Sequence, residues 1–147
     1  QAVAENIELQ INGTDLIQIL LNLAINALQS TPAPHAVDVA GKVLHAPVDT
    51  AQFHDGPHER SLNADGFKNA VPILHLSVWD DGPGIPPEVM AKLFKPYFTT
   101  KPPGKGTGLG LAIVQRLLKE ARGCLHIQSQ PGQGTRFNIY LPAFVKR

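Results

Sequence analysis

The chain has 147 residues, 43% of them apolar and 17% charged, with a formal net charge of +1, which suits one globular domain over residues 1–147 with a real core. So even a charge balance recommends no nucleic-acid partner, and the single Cys124 excludes an internal disulfide. No apolar run approaches the ~20 residues of a membrane span and no signal-peptide layout opens the chain, so direct membrane contact is not expected and the chain reads as cytoplasmic.

Ile7, Leu9 and Ile11 alternate with Glu8, Gln10 and Asn12; the period of two predicts a half-buried strand closed by Asn12-Gly13. A chain that opens straight into a strand pattern reads as a piece of a longer protein. Thr14 or Asp15 is placed to cap a helix over 15–30, with Leu16, Ile19, Leu20, Leu23, Ala27 and Leu28 as its apolar face and Pro32 and Pro34 as its stop. Asn22 and Asn26 lie four apart and project from one side, with Gln18 a turn earlier. Such a pair is either solvated on an outer face or set in a cleft, and the apolar residues around it favour the cleft. An amide oxygen there can ligate Mg²⁺, a cation that takes oxygen ligands.

Val37, Val39, Val43 and Leu44 predict a strand over 36–45. The stretch 46–70 has no periodicity and is expected to be a long hairpin excursion. Its His54, Asp55 and His58 match no metal-ligand spacing, so they read as solvated loop residues. Pro72 opens the central strand, an apolar run that must turn at Asp80-Asp81-Gly82-Pro83-Gly84-Ile85. Gly82 and Gly84 allow positive φ and close approach of a ligand, and Pro83 limits flexing, so a carboxylate stands at a strand end in a rigid turn. A plain β-turn would use the same residues.

Pro86 and Pro87 suit the first turn of a short helix over 88–94, and Phe94, Tyr97 and Phe98 follow as an aromatic cluster. Glycines at 104, 106, 108 and 110 then lead into a helix over 109–122, whose unpaired N–H groups and positive dipole end can receive a phosphate. The run is neither a dinucleotide fingerprint, which needs a strand directly before its glycines, nor a P-loop, which ends in Gly-Lys-Ser/Thr. Strands over 125–129 and 135–141 close the chain around a Pro131-Gly132-Gln133-Gly134 turn. Without strict βα alternation, the expected fold is α+β: a two-layer sandwich, with a mixed sheet of about five strands and three helices packed on one face.

Four segments in this order, Asn22-Leu23-Ala24-Ile25-Asn26-Ala27, Asp80 to Pro86, Leu93-Phe94-Lys95-Pro96-Tyr97-Phe98-Thr99-Thr100-Lys101, and Gly106-Thr107-Gly108-Leu109-Gly110-Leu111-Ala112-Ile113-Val114, resemble the ATP-binding catalytic domain of sensor histidine kinases. The wider superfamily of type II topoisomerases, MutL-type proteins and the ninety-kilodalton chaperone shares the asparagine and Asp-x-Gly-x-Gly elements; the phenylalanine and Gly-Thr-Gly-Leu-Gly-Leu segments resemble the kinases, of the nitrogen-regulation-like type, in particular. The resemblance implies a Bergerat-type sandwich that binds ATP and Mg²⁺ under a lid over about 96–106.

Carried over by position, Asp80 would accept the adenine amine, Gly82, Gly84 and Ile85 would shape the adenine pocket, and Thr135 would support it. Asn26 would hold Mg²⁺, Asn22 would lie near the phosphates, and the backbone of Gly106, Thr107, Gly108, Leu109 and Gly110 would receive them. Many relatives carry a cation where Gln29 stands, so Lys101 and Lys105 become the candidates for that charge. Asn22, Asn26 and Lys101 would be the catalytic set, because phosphoryl transfer asks mainly for positioning and charge neutralisation.

None of the six histidines stands in a phosphoacceptor box, so the resemblance implies the catalytic half alone. It would be a monomer by itself, acting on a histidine of a separate dimerisation domain and through it on a response-regulator receiver domain, free in the cytoplasm or as the cytoplasmic part of a membrane-anchored sensor. The alternative is a nucleotide-dependent switch or ATPase module without kinase activity. A topoisomerase-type fragment would carry a longer lid.

Overall fold

A computed structural model describes residues 7–28, 31, 33–94 and 110–145. Six strands form one sheet: β1 (Ile7–Leu9), β2 (Val37–Leu44), β3 (Glu59–Leu62), β4 (Ile73–Asp80), β5 (Cys124–Gln130) and β6 (Gly134–Val145), in the order β2-β4-β6-β5-β3 with β1 added to the far end of β6. On one face lie α1 (Gly13–Leu28), the single-turn α2 (Pro87–Met90) and α3 (Gly110–Glu120). The expected α+β sandwich is present, but among the described residues the sheet is antiparallel, not mixed, and has six strands rather than about five. The crossover through α2 and α3 does set β4 and β5 parallel to each other. The β5–β6 hairpin then inserts β6 between them, so β4 and β5 do not pair directly.

The helix-facing core is built from Ile19, Leu23 and Ala27 of α1, Val114, Leu117 and Leu118 of α3, and the alternate strand residues Leu74, Val78, Leu125, Ile127, Phe137 and Ile139. Asn12 caps α1 in place of the expected Thr14 or Asp15. Its side chain accepts the Asp15 N–H at 2.8 Å and donates back to the Asp15 carboxylate at 3.1 Å, a reciprocal cap that starts the helix two residues early. Among the described residues no helix is long and apolar enough to cross a membrane.

The 46–70 excursion is folded, which its composition concealed. A 3-10 turn (Thr50–Gln52) and β3 lay Phe53 and Phe67 over Tyr140, Ile73 and Cys124 on the outer face of the sheet, forming a second small core. Phe53 stacks on His126 with centroids 4.2 Å apart, and His75 stacks on Tyr140 at 4.6 Å. Burial pushes the Cys124 thiol up to about 12, leaving it a packing group and not a nucleophile. Asp55 is spent on the Ser61 N–H at 2.8 Å, and among the described residues no group of three metal-ligating side chains exists.

Candidate functional site

Because side chains alternate along β4, Asp80 falls on the helix-facing side with Leu74, Leu76 and Val78, at the strand's last position. It is only 3% exposed. Its register partner is Thr135 on β6, and Thr135 is in turn opposite Ser129 on β5, so three buried polar residues form one row between the layers where the strands end. Ser129 Oγ stands 3.3 Å from Thr135 Oγ1 and accepts the Ile85 N–H at 2.6 Å. The turn after Asp80 is therefore folded back across the strand ends. Ser129 was not among the expected site residues; its signal is a hydroxyl in the inward register of Leu125 and Ile127.

The turn itself fixes the carboxylate. Asp80 Oδ1 accepts the Gly82 N–H at 2.9 Å. Asp81 points the other way: its Oδ1 accepts the Ala36 N–H at 2.7 Å and its own N–H reaches Ala36 O at 3.2 Å, pinning β2 to the turn. Gly84 has φ of 81°, and a Cβ there would sit 2.6 Å from Gln130 O. Pro83 O accepts the Gly132 N–H at 2.8 Å, so the β5–β6 turn and the Asp80–Ile85 turn brace each other. Gly82 contributes through its N–H and Gly84 through the space it leaves.

Gly134 is the tightest point of this assembly, with φ of 113° and a hypothetical Cβ colliding with the Asp80 carbonyl oxygen. Gly134→Ala should cost about 2–4 kcal/mol, combining left-handed strain with displacement of β6 from β4. Urea unfolding measures this, and a variant within 0.5 kcal/mol or so of the parent would show that the strands can part there without cost.

Burial pushes the Asp80 carboxyl above the usual carboxylate range, while the Gly82 N–H and the nearby His35 pull it back. His35, which carried no signal among its flanking prolines, lies beyond α1 and reaches back to its last turn. Its Nε2 lies 2.7 Å from Ala27 O and its Nδ1 3.1 Å from Ala33 O. Two carbonyl acceptors favour a proton on each nitrogen, and these bonds, Ala27 first, raise its pKa, with Asp80 and Asp81 adding to the effect. When protonated, His35 places a positive charge at the C-terminal end of α1 near the buried carboxylate.

Asn22 and Asn26 are half-buried on α1, which packs against β4 and α3, and Gln18 Nε2 donates to Asn22 Oδ1 at 3.2 Å. Gly110 is the first residue of α3. Lys101, Lys105, Gly106, Thr107, Gly108 and Leu109, together with Gln29 and the expected 96–106 lid, lie outside the described residues.

The sandwich thus sets a buried carboxylate between its layers in a glycine-braced turn, and the helix that packs against the same strand bears two half-buried amides. The chain belongs to the histidine kinase-, DNA gyrase B-, and HSP90-like ATPase family, whose model matches residues 11–144. It is 35% identical over 155 residues to the sensor kinase CckA of Brucella abortus (strain 2308), a match covering 98% of this chain and 15% of that protein. Among solved structures, the catalytic domain of histidine kinase ThkA superposes with a TM-score of 0.63 at 25% identity, covering 91% of this chain and 70% of that one. Full-length ShkA in complex with AMPPNP superposes with a TM-score of 0.56 at 32% identity, over 90% of this chain and 22% of that one.

Proposed function

We propose that this chain is the single-domain ATP-binding catalytic module of a two-component sensor histidine kinase. In this reading it transfers the γ-phosphoryl of Mg-ATP to a histidine of a separate dimerisation domain, in the cytoplasm, and a response-regulator receiver domain then takes the phosphoryl on. The observation that carries this is the buried Asp80, fixed by Gly82 and facing the helix layer in the row with Thr135 and Ser129, in a chain of this ATPase family. An ionised carboxylate only accepts, so it suits the adenine amine and opposes the guanine carbonyl. Full-length ShkA, a structural neighbour solved in complex with AMPPNP, supports a nucleotide as the ligand class.

Asn22 and Asn26 present amide oxygens from one side of α1, a donor chemistry that fits Mg²⁺, with Asn26 as ligand. When bound, that ion would neutralise charge on the phosphates. Gly106 to Gly110 would receive the phosphates on backbone N–H groups and the α3 dipole. Transfer of radiolabel from ATP to a supplied cognate dimerisation domain tests the proposal. ATP binding without transfer would make the chain a nucleotide-dependent switch instead.

With Gln29 uncharged, the cation on the phosphates falls to Lys101, with Lys105 as the alternative. Lys101→Ala is expected to slow phosphoryl transfer by at least about tenfold, the equivalent of removing one charge-assisted hydrogen bond. Single-turnover kinetics at saturating ATP measure it, and a parental rate would move the role to Lys105 or to backbone alone.

A further inference from the structure

The strand path β2-β4-β6-β5-β3 ends in β3 on one side and β2 on the other. β3 is a short edge of four residues, Glu59–Leu62, whereas β2 runs for eight, Val37–Leu44, and pairs residue for residue with β4 without proline or bulge. Among the described residues no strand pairs with the other side of β2. A long, regular, open edge is a template for another strand, and chains that stay apart shorten, bulge or uniformly charge such an edge.

The bonds on either side of β4 show which backbone groups of β2 face outward. The Ala143 N–H donates to Pro72 O at 3.1 Å and the Asp81 N–H to Ala36 O at 3.2 Å. Bonded and non-bonded pairs alternate along an antiparallel ladder, so Asp38, Ala40 and Lys42 turn their N–H and C=O groups toward β4. Val37, Val39, Gly41 and Val43 turn theirs to the open edge. Side chains alternate with the same period: Asp38, Ala40 and Lys42 share the outer face with Trp79, Ser77 and His75, and the valines share the helix-facing side with Asp80, Val78 and Leu74.

Charge is arranged symmetrically about Ala40, with Asp38 before it and Lys42 after it. Both are exposed, and among the described residues neither makes a hydrogen bond or an ion pair. A second β2 laid antiparallel about a two-fold axis at Ala40 sets Val37 opposite Val43 and Val39 opposite Gly41, so every outward N–H and C=O of these residues gains a partner. It also sets Asp38 opposite Lys42 on both sides of the axis, at the non-bonded positions where facing side chains come closest. An axis at Asp38 or Lys42 would face like charges, and one at Val39 or Gly41 would put each charge opposite alanine or leucine. The register centred on Ala40 satisfies charge and backbone together. It would also cover Val39, which is 56% exposed. On the same side of the sheet, α1 packs on β4 and β2 and leaves Ile17, Leu21 and Leu28 exposed, apolar surface on the helix nearest this edge.

We propose that β2 is a self-complementary pairing edge, through which two copies of this chain join their sheets about a two-fold axis at Ala40. The occupant is a second copy because Asp38 and Lys42 supply each other's complement. The contact does not depend on the ATP-binding reading, and the resemblance, which implies a monomer, does not contain it. With little apolar core of its own, an edge-to-edge contact is weak. Held by the separate dimerisation domain of the proposed function, two copies would meet at an effective concentration on the order of 1 mM, at which the edges pair.

Sedimentation equilibrium of the full chain tests it. The parent should dimerise with a Kd of about 1 mM or below. Asp38→Lys and Lys42→Asp each replace both ion pairs by repulsions, so each should weaken the dimer at least about tenfold. Mixed together, the two variants should associate as the parent does, since one then brings a pair of cations and the other a pair of anions to the same register. Both substituted side chains are exposed, and recovery in the mixture shows that each variant is folded. Amide exchange reads the register: raising the protein concentration should protect Val37, Val39, Gly41 and Val43 and leave Asp38, Ala40 and Lys42, already bonded to β4, as they were. A parent still monomeric at about 1 mM would overturn the proposal and leave β2 to a different chain. A dimer that both charge reversals leave intact, a mixture no more associated than its components, or protection that misses those alternate amides would place association on another surface and overturn it as well.

Discussion

Asp80→Asn should weaken ATP binding by roughly 1.5–3 kcal/mol, the range for a hydrogen bond to a charged group, and should lessen discrimination against GTP. The turn makes the direction of the effect specific. In the parent, one carboxylate oxygen is committed to the Gly82 N–H at 2.9 Å. Asparagine has a single oxygen, and the turn claims it, so the amide NH₂ takes the place of the other oxygen. There a donor would meet the adenine amine, itself a donor, while the guanine carbonyl would find the donor it lacks in the parent. Burial already pushes the Asp80 carboxyl upward, so lowering the pH should carry the parent toward the behaviour of Asp80→Asn, since a protonated carboxyl also presents a donor. Competition binding of adenosine and guanosine across pH avoids titration of the phosphates. If the variant keeps the parental affinity and preference, Asp80 is a turn former only and the proposed adenine contact is gone.

What could be read from the chain alone was whatever local chemistry dictates. The Asp-Gly and Pro-Gly pairs had to end β4, the alternation of β4 put Asp80 on the buried side, and the Asn22–Asn26 spacing put two amides on one side of α1. These depend on neighbours in sequence. The features that escaped depend on neighbours in space. Glu59-Arg60-Ser61-Leu62 shows no apolar alternation, and it is a strand because β5 offers it an edge and because His126 meets Glu59. β6 runs on to Val145 through Pro142, a residue that argues against a strand; beyond it the Ala143 N–H goes to Pro72 O and β1 takes over the pairing. Ser129 and His35 act through partners 44 residues and eight residues away, respectively, and neither sits in a recognisable motif.

The electrostatics follow the same division. The net charge of +1 says nothing about the site, whereas the structure sets His35 beyond the end of α1, where Asp80 and Asp81 help raise its pKa and it in turn pulls the Asp80 carboxyl down. The proposed adenine contact would depend on that local arrangement, because a carboxylate must stay ionised while buried in order to remain an acceptor.

Asn26→Ala is expected to remove Mg²⁺-dependent nucleotide binding while leaving the fold intact. The side chain is half-buried on the flank of α1, beside the buried stripe of Ile19, Leu23 and Ala27 and not within it, so truncation opens no core cavity. Alanine is also the better helix former by several tenths of a kcal/mol, which offsets part of what removing the amide costs the fold. Affinity for Mg-ATP should drop by about 100-fold or more, on the argument that outer-shell changes already cost 10–100-fold and this one removes a ligand. Calorimetry with and without chelator should give the variant two similar affinities where the parent gives two different ones. Asn26→Asp keeps an oxygen in place and adds charge, so it should restore the metal dependence that alanine abolishes. Unchanged Mg-ATP affinity in Asn26→Ala, in a chain with parental melting temperature, would strike Asn26 from the metal role and leave Asn22 as the one amide of the pair proposed at the phosphates.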